Sequence, residues 1–157
     1  MGRLQSNKAR RAIAVFEAIH SVDSPELAVR LDRLAAEAGR PLPVYFEVNV
    51  DRDPAKAGFD PDALRRAIED LLSLSALEPL GLMTVGALAA DAESARPTFR
   101  RLAALSAELR ARDPHLGAGL SMGMSDDFEV AVEEGATVVR VGRAIFGERR
   151  EQDTAVP

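Results

Sequence analysis

The chain has 157 residues, a formal net charge of −5 and 46% apolar residues, which fits one ordinary globular domain and excludes a disordered one. The acidic balance argues against a nucleic-acid or anionic-membrane surface. No apolar run approaches the ~20 residues of a membrane span, and the opening MGRLQSNKAR has no signal-peptide core, so a cytoplasmic protein is expected. With no Cys and two His, His20 and His115, there is no disulfide framework, no thiol nucleophile and no basis for a zinc site. Of the 20 basic residues only Lys8 and Lys56 are lysines.

Helical and strand patterns alternate along the chain. Residues 6–18 place Ala9, Ala12, Ile13 and Phe16 at helical spacing, and Ile19 to Val22 reads as a short extended piece. Ser24-Pro25-Glu26 supplies a cap and a proline at the first helical position. The stripe Leu27, Leu31, Leu34, Ala35 and Ala38 continues that helix until Gly39 stops it. Residues 43–50 (PVYFEVNV) predict the clearest strand. Asp60-Pro61 opens a helix with Leu64, Ile68, Leu71 and Leu72 on one face, and Gly81 to Gly86 reads as a buried strand. A helix over residues 95–111 follows. Gly119 to Met122 predicts a strand, Asp126 to Glu134 a short helix capped by Asp126, and Thr137 to Gly142 the last strand. The polar segment 148–157 is expected to be a frayed tail, leaving residues 1–147 as one domain.

Five strands alternating with helices imply parallel pairing and right-handed crossovers. An open doubly wound sheet and part of a (β/α)8 barrel both fit; a complete barrel usually takes about 250 residues. The strand faces point the other way. Alternation puts Tyr45, Glu47 and Asn49 on one side of their strand, and Arg140 interrupts the last one. A central strand covered on both faces should be apolar on both. Polar groups on one face suit either a barrel interior or cleft, where Glu47, Asn49 and Arg140 can neutralise or hydrogen-bond one another, or a strand at a solvated edge.

In parallel α/β proteins function gathers at the C-terminal ends of the strands. There the sequence reads GLSMGMSDD (Gly119–Asp127) and RVGRAIFG (Arg140–Gly147). Small residues let backbone N–H groups approach phosphate oxygens, and a hydroxyl and a cation complete such a loop; Ser121, Gly142 and Arg143 meet that specification. Gly-rich strand ends are also plain turns, and Ser125 and Asp126 are read as caps of the next helix. Asp51, Asp53, Asp60 and Asp62 flank prolines and fit turn and cap chemistry better than a metal site. No spacing identifies His20 as a general base, and His115, after Pro114, reads as exposed.

The segments GRLQSNKAR, IHSVDS, VNVDRDPAKAGF, GLMTVGA, LSMGMSDDFEVAVEEGAT and VRVGRAIFG occur in the order seen in the pyridoxal-phosphate homeostasis proteins, whose fold resembles the N-terminal barrel domain of alanine racemase. The resemblance runs from Gly2 to Gly147. It implies a (β/α)8 barrel that binds pyridoxal 5'-phosphate, with the phosphate at the loops after the last two strands. Ser121 would be the hydroxyl donor, and Gly142 and Arg143 would supply backbone N–H groups, Arg143 standing where Thr is usual. Arg140 matches the arginine that faces the pyridine nitrogen, and keeping that nitrogen unprotonated weakens the ring as an electron sink. Lys56 matches a basic position near the cofactor, and Asn49 shares the inner face. Val85 replaces the His of the racemases.

The family pattern begins with two further strand–helix units and a third strand, and its Schiff-base lysine ends the first of those strands. The expectation is therefore an incomplete barrel of about five parallel strands with helices on the outer face. It would retain the phosphate-binding end and hold the cofactor weakly and without a covalent bond. A carrier or homeostasis role is expected rather than catalysis, with self-association possible through exposed barrel edges. The alternatives are a non-functional fragment of the family and a flavodoxin-like open-sheet binding domain.

Overall fold

The computed structural model describes residues 2–86 and 91–147. Its five strands, β1 (Ile19–Val22), β2 (Leu42–Glu47), β3 (Leu77–Met83), β4 (Gly119–Met124) and β5 (Val138–Arg140), pair in parallel in the order β1-β2-β3-β4-β5. The sheet curls into a half-barrel with the helices around its outer face. The strand order never reverses, and this removes the flavodoxin-like alternative, whose order must switch direction. The helices are α1 (Ala9–Val15), α2 (Pro25–Glu37), α3 (Pro61–Leu72), α4 (Arg96–Arg112), α5 (Phe128–Glu133) and α6 (Arg143–Phe146). Short 3-10 turns, Ser6–Lys8 and Ala92–Ala95, lead into α1 and α4. No described helix is long and apolar enough to cross a membrane.

Local chemistry sets the boundaries. Ser24 Oγ accepts from the Leu27 N–H at 3.3 Å to start α2, and Asp60 Oδ1 accepts from Asp62 and Ala63 at 2.9 and 3.1 Å to start α3. Gly39, at φ +68°, ends α2 in the left-handed conformation. Side chains alternate across the sheet. Val44, Phe46, Leu82, Leu120 and Met122 join one core with Leu31, Leu34, Leu64, Ile68, Phe99, Leu102 and Leu109 from the helices. Tyr45 and Met83, buried but outside that cluster, belong to the concave side.

On the concave side, register sets Tyr45 beside Gly81 and Gly81 beside Gly119. A Cβ on Gly119 would come within 2.8 Å of the Tyr45 ring, and one on Gly81 within 1.9 Å of the Gly119 carbonyl oxygen. Gly119 thus makes the space that Tyr45 fills, the large-and-small matching of a barrel interior, and Gly81 lets the β4 backbone come close.

Several boundaries differ from the pattern reading. The first helix is shorter than residues 6–18, because Phe16 already has extended backbone. The strand predicted over 43–50 ends at Glu47. Beyond it Val48 bridges Phe59, whose N–H donates to the Glu47 carbonyl at 2.7 Å, so the chain turns back on itself. β3 starts at Leu77, earlier than predicted, and a register shift after Val44 accommodates Pro79 and Leu80. Asp126 does not cap α5: it pairs with Arg143, while Asp127 Oδ1 accepts from the Met124 N–H at 2.6 Å. The predicted tail, 148–157, lies outside the described residues.

Candidate ligand site at the concave face

The strands deliver three side chains from distant parts of the sequence to one point. Arg140, ending β5, reaches back across the sheet: its Nη1 donates to the Ser121 carbonyl at 2.7 Å and to Ser121 Oγ at 2.9 Å, and its Nη2 to the Thr84 carbonyl at 2.8 Å. Thr84 is itself held by its hydroxyl, which donates to the Val48 carbonyl at 2.7 Å. Ser121 is fully buried, and its Oγ also lies 2.9 Å from His20 Nδ1. With both Nη atoms tied down, Arg140 Nε remains buried without a hydrogen-bond partner. Burial lowers the Arg140 pKa from its usual value, opposed by the charges of Glu47 and Asp127.

His20 packs on Tyr45 with ring centroids 4.4 Å apart. Burial, and then the nearby Arg140 charge, lower its pKa, so the imidazole is neutral near pH 7. Glu47, 8% exposed, has its pKa raised by burial and by Asp23, with Arg140 and Arg3 opposing. His20, Glu47 and Arg140 line an open cavity of about 530 Å³ whose walls also include Arg3, Met83 and Val85. Arg3 in turn pairs with the buried Asp23 at 2.5 Å.

Glu47 and Val85 also line a neighbouring space of about 130 Å³, together with Asn49, Asp51, Lys56 and Thr84. Lys56 Nζ donates to the carbonyls of Val85 and Gly86 at 3.3 and 3.1 Å and lies 3.6 Å from Asp51. Asn49 is turned to its own loop: Nδ2 donates to the Asp53 carbonyl at 2.7 Å, and Oδ1 accepts from the Asp53 N–H at 3.0 Å. Asn49 therefore shapes the loop that carries Lys56 and does not meet Glu47 or Arg140. Asp60 caps α3 and Asp53 accepts from the Ala55 N–H, the cap and turn roles expected there, whereas Asp51 accepts from the Thr98 and Arg101 side chains of α4 and Asp62 pairs with Arg52 and Arg65. No group of three potential metal ligands occurs among the described residues.

At the end of β5 the N–H groups of Gly142 and Ala144 both point to Ser125 Oγ, each at 3.3 Å. A Cβ built on Gly142 would meet nothing within 4 Å, so space stands open above this turn. The six predicted residues thus fall into three places. Ser121 and Arg140 meet, Gly142 and Arg143 form a turn with Ser125 and Asp126, and Asn49 and Lys56 lie on the β2 loop. Sequence reasoning paired Ser121 with the Gly142 turn, whereas the hydroxyl that converges there is that of Ser125. Its position one residue past β4, level with the end of β5, is the signal that could have found it. His20 was equally visible, but its partner lies 101 residues away, beyond any local spacing rule.

The comparisons agree with this architecture. The sequence model of the family described as alanine racemase, N-terminal domain, matches residues 1–150. The pyridoxal phosphate homeostasis protein of Aquifex aeolicus is 41% identical over 150 residues, covering 96% of this chain and 66% of that protein. That of Vibrio cholerae is 37% identical, with 95% and 63% covered. The chain thus spans a little under two thirds of the length of these curated relatives. Among solved structures, PipY of Synechococcus elongatus PCC7942 with PLP bound superposes with a TM-score of 0.87 at 43% identity, covering 94% of this chain and 68% of that one. Alanine racemase of Clostridium difficile 630 shares the fold, with a TM-score of 0.70 at 18% identity. The chain belongs to the alanine racemase N-terminal domain family and, within it, to the group of the pyridoxal phosphate homeostasis proteins.

Proposed function

We propose that this chain binds pyridoxal 5'-phosphate without a covalent bond and serves cytoplasmic vitamin B6 homeostasis rather than turnover. The observation that carries the reading is the state of Arg140. Three of its donors are fixed on Ser121 and Thr84, and one buried donor, Nε, has no partner. A buried unpaired donor is costly, and an unprotonated pyridine nitrogen is an uncharged acceptor that would satisfy it.

The other residues take supporting parts. The Gly142 and Ala144 N–H groups are held loosely on Ser125 Oγ at 3.3 Å, and a phosphate is a stronger acceptor than a hydroxyl. We assign the phosphate to the Gly142–Ala144 turn, with Ser125 as the hydroxyl and Arg143 contributing through its backbone. Ser121 orients Arg140. Lys56 adds a positive charge at the neighbouring space, on a loop that Asn49 holds in shape. The bound cofactor would bring an electron-withdrawing ring, and an arginine that cannot pass a proton to the ring nitrogen keeps that sink weak; this favours carriage over carbanion chemistry. Self-association through the free sheet edges belongs to the same proposal, supported by exposed Val15 and Phe16 on the β1 side and Ile145 and Phe146 beyond β5.

Titration of the full chain with pyridoxal phosphate, followed by absorbance and equilibrium dialysis, tests the reading. Saturable binding that inorganic phosphate competes away is expected, and borohydride treatment followed by peptide mapping should leave Lys8 and Lys56 essentially unlabelled. Absence of binding, or binding indifferent to phosphate, would overturn it; stoichiometric labelling of either lysine would overturn the non-covalent part.

A further inference from the structure

His20 is a half-buried titratable side chain that the reading above does not use. It lies on β1, the opposite edge of the sheet from β5, yet its Nδ1 touches the same hydroxyl that Arg140 does. A serine hydroxyl has one proton to give and two lone pairs to accept with. Arg140 Nη1 can only donate, so it takes one lone pair of Ser121 Oγ at 2.9 Å. Among the described residues the other polar group at hydrogen-bond distance from Oγ is His20 Nδ1, also at 2.9 Å. A neutral imidazole carrying its proton on Nε2 offers Nδ1 as an acceptor. The chain Arg140 N–H to Ser121 O–H to His20 Nδ1 then runs in one direction, with the serine proton used.

The surroundings favour that neutral form. Arg3, Glu47 and Arg140 share the cavity with His20, Tyr45 packs on its ring, and Asp23 pairs with Arg3. Arg140 is the charge that acts on His20 directly, and with burial it disfavours a second cation. Tyr45, seated against Gly119, holds the ring plane in place.

We propose that His20 is a positioning residue for the ring-nitrogen contact: by accepting the Ser121 hydroxyl proton at Nδ1 it fixes Ser121 Oγ as an acceptor for Arg140 and leaves Arg140 Nε as the free donor. The inference rests on the pyridoxal phosphate reading and narrows it to ring forms whose nitrogen has a free lone pair. Protonation of His20 would place a hydrogen on Nδ1, turn the imidazole into a second donor toward Oγ, and strand the serine proton.

Two measurements on the full chain test it. Without ligand, long-range proton–nitrogen NMR correlation reads the His20 tautomer. Hydrogen on Nε2 with a hydrogen-bonded, unprotonated Nδ1 is expected, and hydrogen on Nδ1 overturns the relay. With ligand, binding of pyridoxal phosphate is compared with binding of N-methylpyridoxal phosphate, whose ring nitrogen has no lone pair, in the wild type, His20→Ala and His20→Asn. His20→Ala should weaken pyridoxal phosphate binding about three- to tenfold, the worth of one hydrogen bond, and leave the N-methyl form and inorganic phosphate unchanged. His20→Asn, whose Oδ1 can take the place of Nδ1 as acceptor, should recover most of the loss. Equal losses for both ring forms, or an Asn variant no better than Ala, would reduce His20 to packing and overturn the inference while the pyridoxal phosphate reading stands. A wild-type chain that binds neither ring form overturns the reading itself, and the ring-nitrogen role with it.

Discussion

Replacing Ser121 with alanine tests the junction of the site. The Ser121 side chain is fully buried, and its Oγ accepts from Arg140 Nη1 and contacts His20 Nδ1, each at 2.9 Å. Alanine removes both contacts without moving the backbone, and Arg140 Nη1 keeps its 2.7 Å bond to the Ser121 carbonyl. The loss is therefore one charged hydrogen bond of two, plus an acceptor on His20 left facing an apolar methyl. A hydrogen bond to a charged group is worth about 1.5–3 kcal/mol and an unsatisfied buried group costs about 1–3 kcal/mol. Because Arg140 Nη1 keeps its carbonyl bond, the expected destabilisation lies at the lower end, about 1–2 kcal/mol. For a domain of this size that is a fall in Tm of roughly 2–8 °C. Urea unfolding followed by far-ultraviolet circular dichroism should show a lower midpoint at unchanged slope. Pyridoxal phosphate affinity should fall by about 1 kcal/mol or slightly more. Wild-type stability and affinity together would refute the picture of Ser121 as the link between Arg140 and the rest of the sheet.

Two glycines should separate folding from binding. Gly119→Ala drives a Cβ to 2.6 Å from the Leu80 carbonyl oxygen and 2.8 Å from the Tyr45 ring, an overpacking cost of about 1–3 kcal/mol in denaturant titration. Gly142→Ala meets open space and should leave the midpoint unchanged while weakening phosphate competition, so a stability loss there would contradict the assignment. Glu47 has a raised pKa in the fold, so the folded chain binds its proton more tightly than the unfolded one. Stability from this group is present below the ordinary value of 4.5 and is lost as pH rises through the raised value. Glu47→Gln should flatten that decline in stability measured from pH 4.5 upward, and an unchanged slope would refute the burial effect. His20 has the opposite sign: its lowered pKa means that stability is lost as pH falls below 6.5, and His20→Asn should remove that acid-side loss in the same series. Asp60→Ala deletes the two cap bonds at the start of α3 and should cost about 1 kcal/mol in thermal unfolding.

Capping and periodicity made much of the frame legible. Ser24-Pro25 and Asp60-Pro61 start helices because their side chains accept the first free N–H groups, a purely local event. The polar face of Tyr45 and Glu47 correctly signalled a concave side different from the helix-covered one. Sequence alone could not show what each polar side chain meets. Asn49 shares strand parity with Glu47, but the chain turns at Val48 and its amide closes a loop. Asp126 looked like a cap until Arg143, 17 residues on, drew it away. Ser121 and Ser125 are equally small and polar, and only the curvature of the sheet assigns one to Arg140 and the other to the Gly142 turn. His20 illustrates the limit best, since its role depends on β1 and β4 approaching across the concave face.

The tyrosine seated against Gly119 has a practical consequence. It is the only tyrosine of the chain, which has no tryptophan, and it packs against His20, a wall of the cavity. The protein therefore carries one native fluorophore for its long-wavelength ultraviolet emission, buried behind a cavity wall. Tyr45 emission reports on this interior alone, without a label and without background from elsewhere in the fold. Quenching during a titration can be assigned to one side chain, and an emission change that precedes the loss of helical circular dichroism would mark the concave face opening before the outer layer melts.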